Sequence, residues 1–265
     1  MRKRADRRSE CGKISRSIGR AVSDFSMIRR GDRILVGLSG GKDSGFLLRA
    51  LSGLRARSPV PFEIGALTID PTDDGADTSA LSDLASEAGA DFRAVRHPIF
   101  RILRERRERS PCSLCANIRR GMLATLALEM GYNVLALGHH RDDVVETVLM
   151  NLLYAGRFSC FAPHMLMSRS GIRVIRPLVY VSEQDIIHEA RAMRLPIVDF
   201  RCPHAAASKR AMIKSAIAAM GQDAGHSAHS IQGSVMRALT NSGRDDAWDV
   251  RRRAKHIKEG SDDID

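Results

Sequence analysis

Aromatic residues are scarce: eight Phe, three Tyr and one Trp make up 5% of the 265-residue chain. So few rings give poor support to a platform that binds single strands by stacking bases. No apolar run approaches the length of about 20 residues that spans a bilayer, so no membrane partner is expected. The N-terminal MRKRADRRSE is basic, but no apolar stretch or small-residue cleavage site follows it. That argues against a secretory signal and makes a cytoplasmic protein the expectation. Cysteines number five, an odd count that fits no closed disulfide framework and leaves metal binding or redox chemistry.

What the chain does have is enough apolar residue, 43%, to build a core, and enough length for one large α/β domain. It also has a marked basic excess: 42 Lys and Arg against 31 Asp and Glu, a net charge of +11. A polyanion is the partner this implies, nucleic acid being the commonest.

Periodicity divides the chain into a basic flexible arm (1–12), a domain of alternating strands and helices (13–222) and a polar, largely disordered tail (223–265). Ile14, Ile18, Val22 and Phe25 recur at helical spacing over Lys13–Met27. Strands are expected at Arg33–Leu38, Glu63–Ile69, Asp91–Val95 and Asn133–His140, with a last edge strand at Pro196–Phe200. Helices are expected at Ser44–Arg55, Ser79–Gly89, Arg119–Met130, Asp142–Tyr154 and Ser182–Met193, and an irregular hairpin or loop at Pro163–Pro177. Strands and helices in this rhythm imply a five-stranded-type parallel sheet covered on both faces.

Between the first strand and its helix lies Ser39-Gly40-Gly41-Lys42-Asp43-Ser44. A Walker loop requires Gly, four residues, then Gly-Lys-Ser/Thr. Here Gly37 to Gly41 is one residue too short, and Asp43 follows Lys42. What remains is a tight turn at a helix N-terminus, a natural anion site. Gly40 and Gly41 let backbone approach closely, Ser39 and Ser44 can donate, Lys42 adds charge, and Asp43 can hold magnesium or orient the loop.

These residues resemble the PP-loop ATP pyrophosphatases, whose signature is Ser-Gly-Gly-x-Asp-Ser. The resemblance implies that ATP is cleaved between its α and β phosphates, giving pyrophosphate and an adenylated substrate.

Cys112 and Cys115 have the spacing that lets two thiolates reach one metal centre, and Cys202 supplies a third from far along the chain. On spacing alone the pair could be a zinc half-site, a redox pair or an iron–sulfur ligand set. Structural zinc would need a fourth ligand, for which His204 is the obvious candidate. Cys11 and Cys160 have no partner in the sequence.

DFSMIRRGDRILVGLSGGKDS, PCSLCANIRRGML, LALGHHRDDVVETVLMNLLYAGRF and VIRPLVYVSEQDI followed by LPIVDF and Cys202 resemble segments of the TtcA family, in the same order. These are the tRNA 2-thiocytidine synthetases, and the likeness covers about Lys13 to Ser208. It implies that Cys112, Cys115 and Cys202 hold a [4Fe–4S] cluster, leaving one iron open for the hydrosulfide that attacks an adenylated cytidine. One departure is that Asp199-Phe200-Arg201 stands where the family often carries another cysteine.

Four residues then become candidates for catalysis: Asp43, Arg119, Asp142 and Asp143. The two adjacent carboxylates, at a strand–helix junction, can hold Mg²⁺ or handle a proton. Arg119 and Arg120 can meet ATP phosphate or tRNA. Asp70, Leu67 and Gly138 are expected to line the nucleotide pocket, and His139 and His140 stand beside it. The basic arm and Arg101–Arg109 are candidate tRNA contacts. Expected partners are tRNA and a sulfur donor such as a cysteine desulfurase, with homodimerisation open. Rival readings are a PP-loop enzyme thiolating another base or a small molecule, and a noncatalytic RNA-binding protein clipped by zinc.

Overall fold

The structure, a computed structural model, describes residues 2–107, 110–202, 209–223, 227–241 and 248–249, with only the backbone described at 2–11 and 222–223. In chain order the elements are α1 (Arg2–Asp24), β1 (Arg33–Leu38), α2 (Lys42–Arg55), β2 (Glu63–Asp70), α3 (Ser79–Glu87) and β3 (Asp91–Arg96). Then come α4 (Ile99–Glu105), α5 (Pro111–Glu129), β4 (Val134–Ala136), α6 (Arg141–Ala155), β5 (His164–Leu166) and β6 (Arg173–Ile175). Helices α7 (Glu183–Ala192), α8 (Lys209–Asp223) and α9 (Ala228–Asn241) complete the list.

The sheet has six strands in the order β3-β2-β1-β4-β6-β5, parallel except for β5. Its central strands are apolar on both faces because helices cover both. From β1, Ile34, Val36 and Leu38 enter the larger core with α1, α2 and α7, while Leu35 enters a second core with Ala124 and Ala127 of α5. The chain builds outward from β1 to β3, then returns to place β4 on the other side of β1. The loop after β1 therefore lies where the strand order reverses, the position at which open α/β sheets collect ligands.

Several expectations change, among them the fourth strand, which spans Val134–Ala136 and not Asn133–His140. The last strand is β6, paired with β5 in the Pro163–Pro177 hairpin; Pro196–Phe200 forms no strand. That segment docks instead on the glycine loop, through one backbone hydrogen bond. Helix α1 runs without a break from Arg2, not Lys13, since residues 2–12 are mostly good helix formers and contain no proline. Finally, the described part of the expected tail is built in: α9 buries Met236 and Leu239, and Trp248 is fully buried against Phe25. Among the described residues no helix is long and apolar enough to cross a membrane.

Candidate active site

The glycine loop is held by its own serines. Ser44 Oγ donates to the Gly41 carbonyl at 3.0 Å and accepts the Ser39 N–H at 3.0 Å; Ser39 Oγ lies 3.1 Å from it. Ser44 thus shapes the loop. Gly40 has φ +81°, and a Cβ there would stand 2.3 Å from the Val198 carbonyl oxygen. Gly41 is different: its φ is −87°, and a Cβ would meet nothing nearer than Ser39 Oγ at 3.6 Å. No side chain caps α2 at Gly41, so the first N–H groups of the helix are open to an anion. Gly138 has no room for a side chain against the loop. A Cβ there would come within 3.1 Å of the Asp43 and Ser44 backbone.

Lys42 and Asp43 are charged and paired. Lys42 Nζ lies 3.1 Å from Asp43 Oδ1 and 3.1 Å from Glu183 Oε1 of α7, and Glu183 also receives Lys214 of α8 at 2.5 Å. Burial opposes the charge on Lys42, but the two carboxylates outweigh it and raise its pKa. Burial likewise opposes ionisation of Glu183, but hydrogen bonds from Lys214 and Lys42 hold its carboxyl at about 2.

The adjacent carboxylates of α6 face elsewhere. Asp142 accepts the Glu183 N–H at 2.7 Å and Gln232 Nε2 of α9 at 2.6 Å, so both its oxygens tie helices together. Asp143 closes a capping box with His140 and pairs with Arg210 of α8 at 2.9 Å, which also reaches buried Glu146 at 3.0 Å. Neither residue is among those lining the cavity beside the loop.

That cavity, about 380 Å³, is bounded by Ser39, Asp43 and Ser44 on one side, Arg119 and Arg120 of α5 on another, and Gly138, His139, Phe161 and Arg176 on the third. Ile69, not Leu67, lines it from β2. The Leu67 side chain is fully buried in the core beneath α5. Asp70 accepts hydrogen bonds from Thr72 N, Thr72 Oγ1 and Ala76 N, so it folds its own loop. Burial opposes its ionisation, and those bonds prevail and lower its pKa. His139 packs on Phe161 with ring centroids 4.9 Å apart. Burial, with Arg176 adding to it, pushes His139 down to about 4, so the ring is neutral at physiological pH.

The cysteines meet beside Arg119. Cys112 and Cys115 lie in the first turns of α5, three residues apart and so on one helix face. The expected helix start at Arg119 moves back to Pro111, a good first helical residue. Cys115 packs with Phe200 and Val198 around Ile69, Ile99, Phe100 and Leu103. An Asp199 carboxylate accepting the Arg201 N–H at 2.8 Å, with Arg201 at φ +49°, then turns the chain to Cys202. Burial raises the Cys115 thiol; Arg119, hydrogen-bonded to it, pulls against that rise, and nearby Cys202 and Cys112 add to it. Three thiols therefore share one corner, and Arg119 spans from that corner to the cavity. His204 lies outside the described residues.

Comparison with known proteins decides the family. A PP-loop domain model matches residues 12–219. The chain is 47% identical over 193 residues to the tRNA-cytidine(32) 2-sulfurtransferase of Geobacter sulfurreducens, an alignment covering 72% of this chain and 75% of that protein. The chain belongs to the TtcA family of PP-loop tRNA sulfurtransferases. A relative of the same name in Syntrophotalea carbinolica is 39% identical over 233 residues, covering 86% of this chain and 88% of that one. In fold, it is similar to the U34-tRNA thiolase NcsA of Methanococcus maripaludis, solved with its [4Fe–4S] cluster. The TM-score is 0.68 at 23% identity, over 88% of this chain and 79% of that one.

Two sets of residues in this arrangement could hold inorganic partners. Cys112, Cys115 and Cys202 are a sulfur donor set of the kind that iron–sulfur clusters use. Among the described residues no group of three His, Cys, Asp or Glu is close enough for a single ion, so the thiols share a corner without forming a closed one-ion site. Asp43 suits Mg²⁺, which binds through one or two carboxylates and substrate phosphates. Sequence reasoning missed Arg176 and Phe161. Arg176 lies in a quoted family segment and Phe161 three residues beyond one, but neither residue type signals a site until the fold brings it to the cavity.

Proposed function

We propose that this chain is an ATP-dependent sulfurtransferase that converts a cytidine in the tRNA anticodon loop, cytidine 32 by its relatives' name, to 2-thiocytidine. The observation that carries the reading is Arg119, which lines the cavity beside the glycine loop and is hydrogen-bonded to Cys115 among the three thiols. Activation and sulfur delivery thereby meet on one helix.

The uncapped start of α2 and the open face of Gly41 receive the β and γ phosphates, and Lys42 turns from Glu183 toward them. Asp43 would hold Mg²⁺, which would supply positive charge to offset that of the phosphates. The cytosine C2 carbonyl oxygen attacks the α-phosphorus, and the bond to pyrophosphate breaks. Arg119 and the neighbouring cations stabilise the charge that grows on the phosphoryl group. Hydrosulfide then attacks C2, the C2–O bond breaks and AMP leaves with that oxygen; the hydrosulfide proton passes to solvent and no electrons are exchanged. Cys112, Cys115 and Cys202 would hold a [4Fe–4S] cluster, which would supply the sulfur-delivery chemistry at this corner. The hydrosulfide is replenished by a sulfur donor; where this is a cysteine desulfurase, which passes sulfur as a persulfide, a thiol reductant supplies the two electrons that bring it to hydrosulfide. Exposed Arg101, Arg104, Arg106 and Arg107, on and just after α4, contact tRNA phosphates.

The test is anaerobic incubation of the full chain with an unmodified tRNA transcript, ATP, Mg²⁺ and sulfide, followed by nucleoside mass spectrometry. The expected product is 2-thiocytidine, formed only with ATP. Thiolated uridine, or no thiolated nucleoside from an iron-loaded and ATP-cleaving preparation, would overturn the reading.

A further inference from the structure

Asp43, Arg119, Arg120 and Arg176 are the charged residues lining the cavity: one carboxylate against three guanidinium groups. Asp43 is already paired with Lys42, so it neutralises none of the three fully. Of these arginines, Arg176 is the most deeply set, at 3% exposure. It follows β6 directly, and its backbone N–H donates to the Pro163 carbonyl at 2.9 Å. One terminal nitrogen donates to the Ala162 carbonyl at 2.6 Å, while Nε has no hydrogen-bond partner.

The guanidinium lies 4.9 Å over the Phe161 ring. That platform is itself fixed, since the Phe161 carbonyl accepts Trp248 Nε1 at 3.0 Å. Among the described residues no ion pair includes Arg176, Arg119 or Arg120, and Arg119 Nε is also buried without a partner. Burial, opposed by Cys160 and reinforced by Arg120, pushes Arg176 down to about 10, still fully charged at neutral pH.

A permanently charged group buried without a counterion is among the costliest things a fold can hold, and a ring face offsets little of that cost. Three guanidinium groups lining one cavity, two of them with a buried Nε that has no hydrogen-bond partner, favour an anion with several acceptor oxygens, to which arginine is well matched. The loop, on the β1 side, takes one end of a polyphosphate; Arg176 stands two strands away, beyond β4.

We propose that Arg176 binds a phosphate group of a bound substrate on the β6 side of the cavity, separate from the phosphates held by the glycine loop. Two sources present this chemistry: the α-phosphate of the nucleotide, which stays with the base on adenylation, and the RNA backbone phosphate beside the target nucleotide. The proposal rests on the ATP-dependent reading of the loop.

The experiment uses anaerobically purified full-length protein, wild type and Arg176→Met, with iron content and melting temperature matched first. AMP, ATP and pyrophosphate affinities are measured by calorimetry, and tRNA affinity by filter binding over a salt series. The expected result for the variant is at least tenfold weaker binding of AMP or of tRNA, with pyrophosphate bound as in wild type. Loss on AMP assigns the nucleotide phosphate; loss on tRNA, with a shallower salt dependence, assigns the RNA phosphate. Unchanged AMP and tRNA binding overturns the inference, as does an equal loss on pyrophosphate. Should Arg176→Met fail to fold, Arg176→Lys keeps the charge but loses Nε–H and the planar fork. It must weaken the same ligand at least threefold, and unchanged affinity overturns the inference. Wild-type protein that binds no ATP overturns the loop reading together with this one; wild-type binding matched by the variant overturns this one alone.

Discussion

The Val198 N–H donates to the Gly40 carbonyl at 3.0 Å, while the Val198 carbonyl lies where a Gly40 Cβ would have to be. One residue of the glycine loop is thereby locked to the segment that reaches Cys202 four residues later. The glycine loop and the segment leading to the thiol corner share a backbone contact.

Two neighbouring glycines should therefore fail in different ways. Gly40→Ala puts a side chain at φ +81° and against backbone, which costs on the order of 1–3 kcal/mol from strain alone. A lowered melting temperature and loss of bound iron are expected together. Gly41→Ala has an ordinary φ and open space, so it should melt like wild type yet bind ATP at least tenfold more weakly. Calorimetry and thermal melts on both variants check this.

Glu183 gives a pH signature. Its folded pKa of about 2 lies below the ordinary 4.5, so its stabilising effect is complete above pH 4.5 and is lost as pH falls through 2. Glu183→Gln should melt below wild type at neutral pH, and the two curves should converge as pH approaches 2. A constant gap across that range would show that Glu183 acts by shape alone. Lys42→Ala, which removes the cation proposed to turn toward phosphate, should retain the fold, since Lys214 still meets Glu183, and lose ATP turnover by at least a hundredfold.

The thiols can be counted by iron. Wild-type protein purified without oxygen should show broad visible absorbance and about four irons per chain, and Cys115→Ala or Cys202→Ala should lose both. Cys160→Ser should keep them, because Cys160 sits by the Val144 carbonyl at 3.6 Å and not among the three. One zinc per chain with no iron would return the triad to a structural role.

For tRNA, each arginine of the α4 region that meets a phosphate should reduce the salt dependence of binding by about one when changed to Gln. Arg106 is a suitable first choice: it is exposed, and no ion pair among the described residues includes it. An unchanged slope for each of Arg101, Arg104, Arg106 and Arg107 would remove this face from the interface.

Much of this was legible in the sequence, for identifiable reasons. β1 was readable to the residue because a buried strand and a glycine loop are both local signals. The loop, both cysteine positions on α5 and the third thiol were readable because their residue types are rare and their spacing is chemical. Asp142, Asp143 and Asp70 are occupied otherwise than expected: a carboxylate at a strand or helix end can hold a ligand or hold the fold, and Asp142 and Asp143 meet Gln232 and Arg210 from far along the chain, while Asp70 ties its own loop through Thr72 and Ala76. Gly138 was rightly read as a close-approach glycine, but the backbone that approaches is Asp43 and Ser44. Arg176, one of 42 basic residues, carries no mark until β6 places it in the cavity.

The first measurement to make follows one oxygen atom. A tRNA carrying ¹⁸O at C2 of the target cytidine, turned over with ATP and sulfide, should yield 2-thiocytidine and AMP containing the label, one atom for each base thiolated. AMP without label, formed alongside thiolated tRNA, would mean that the carbonyl oxygen never joined the α-phosphorus, and the adenylation chemistry assigned to this loop would be wrong.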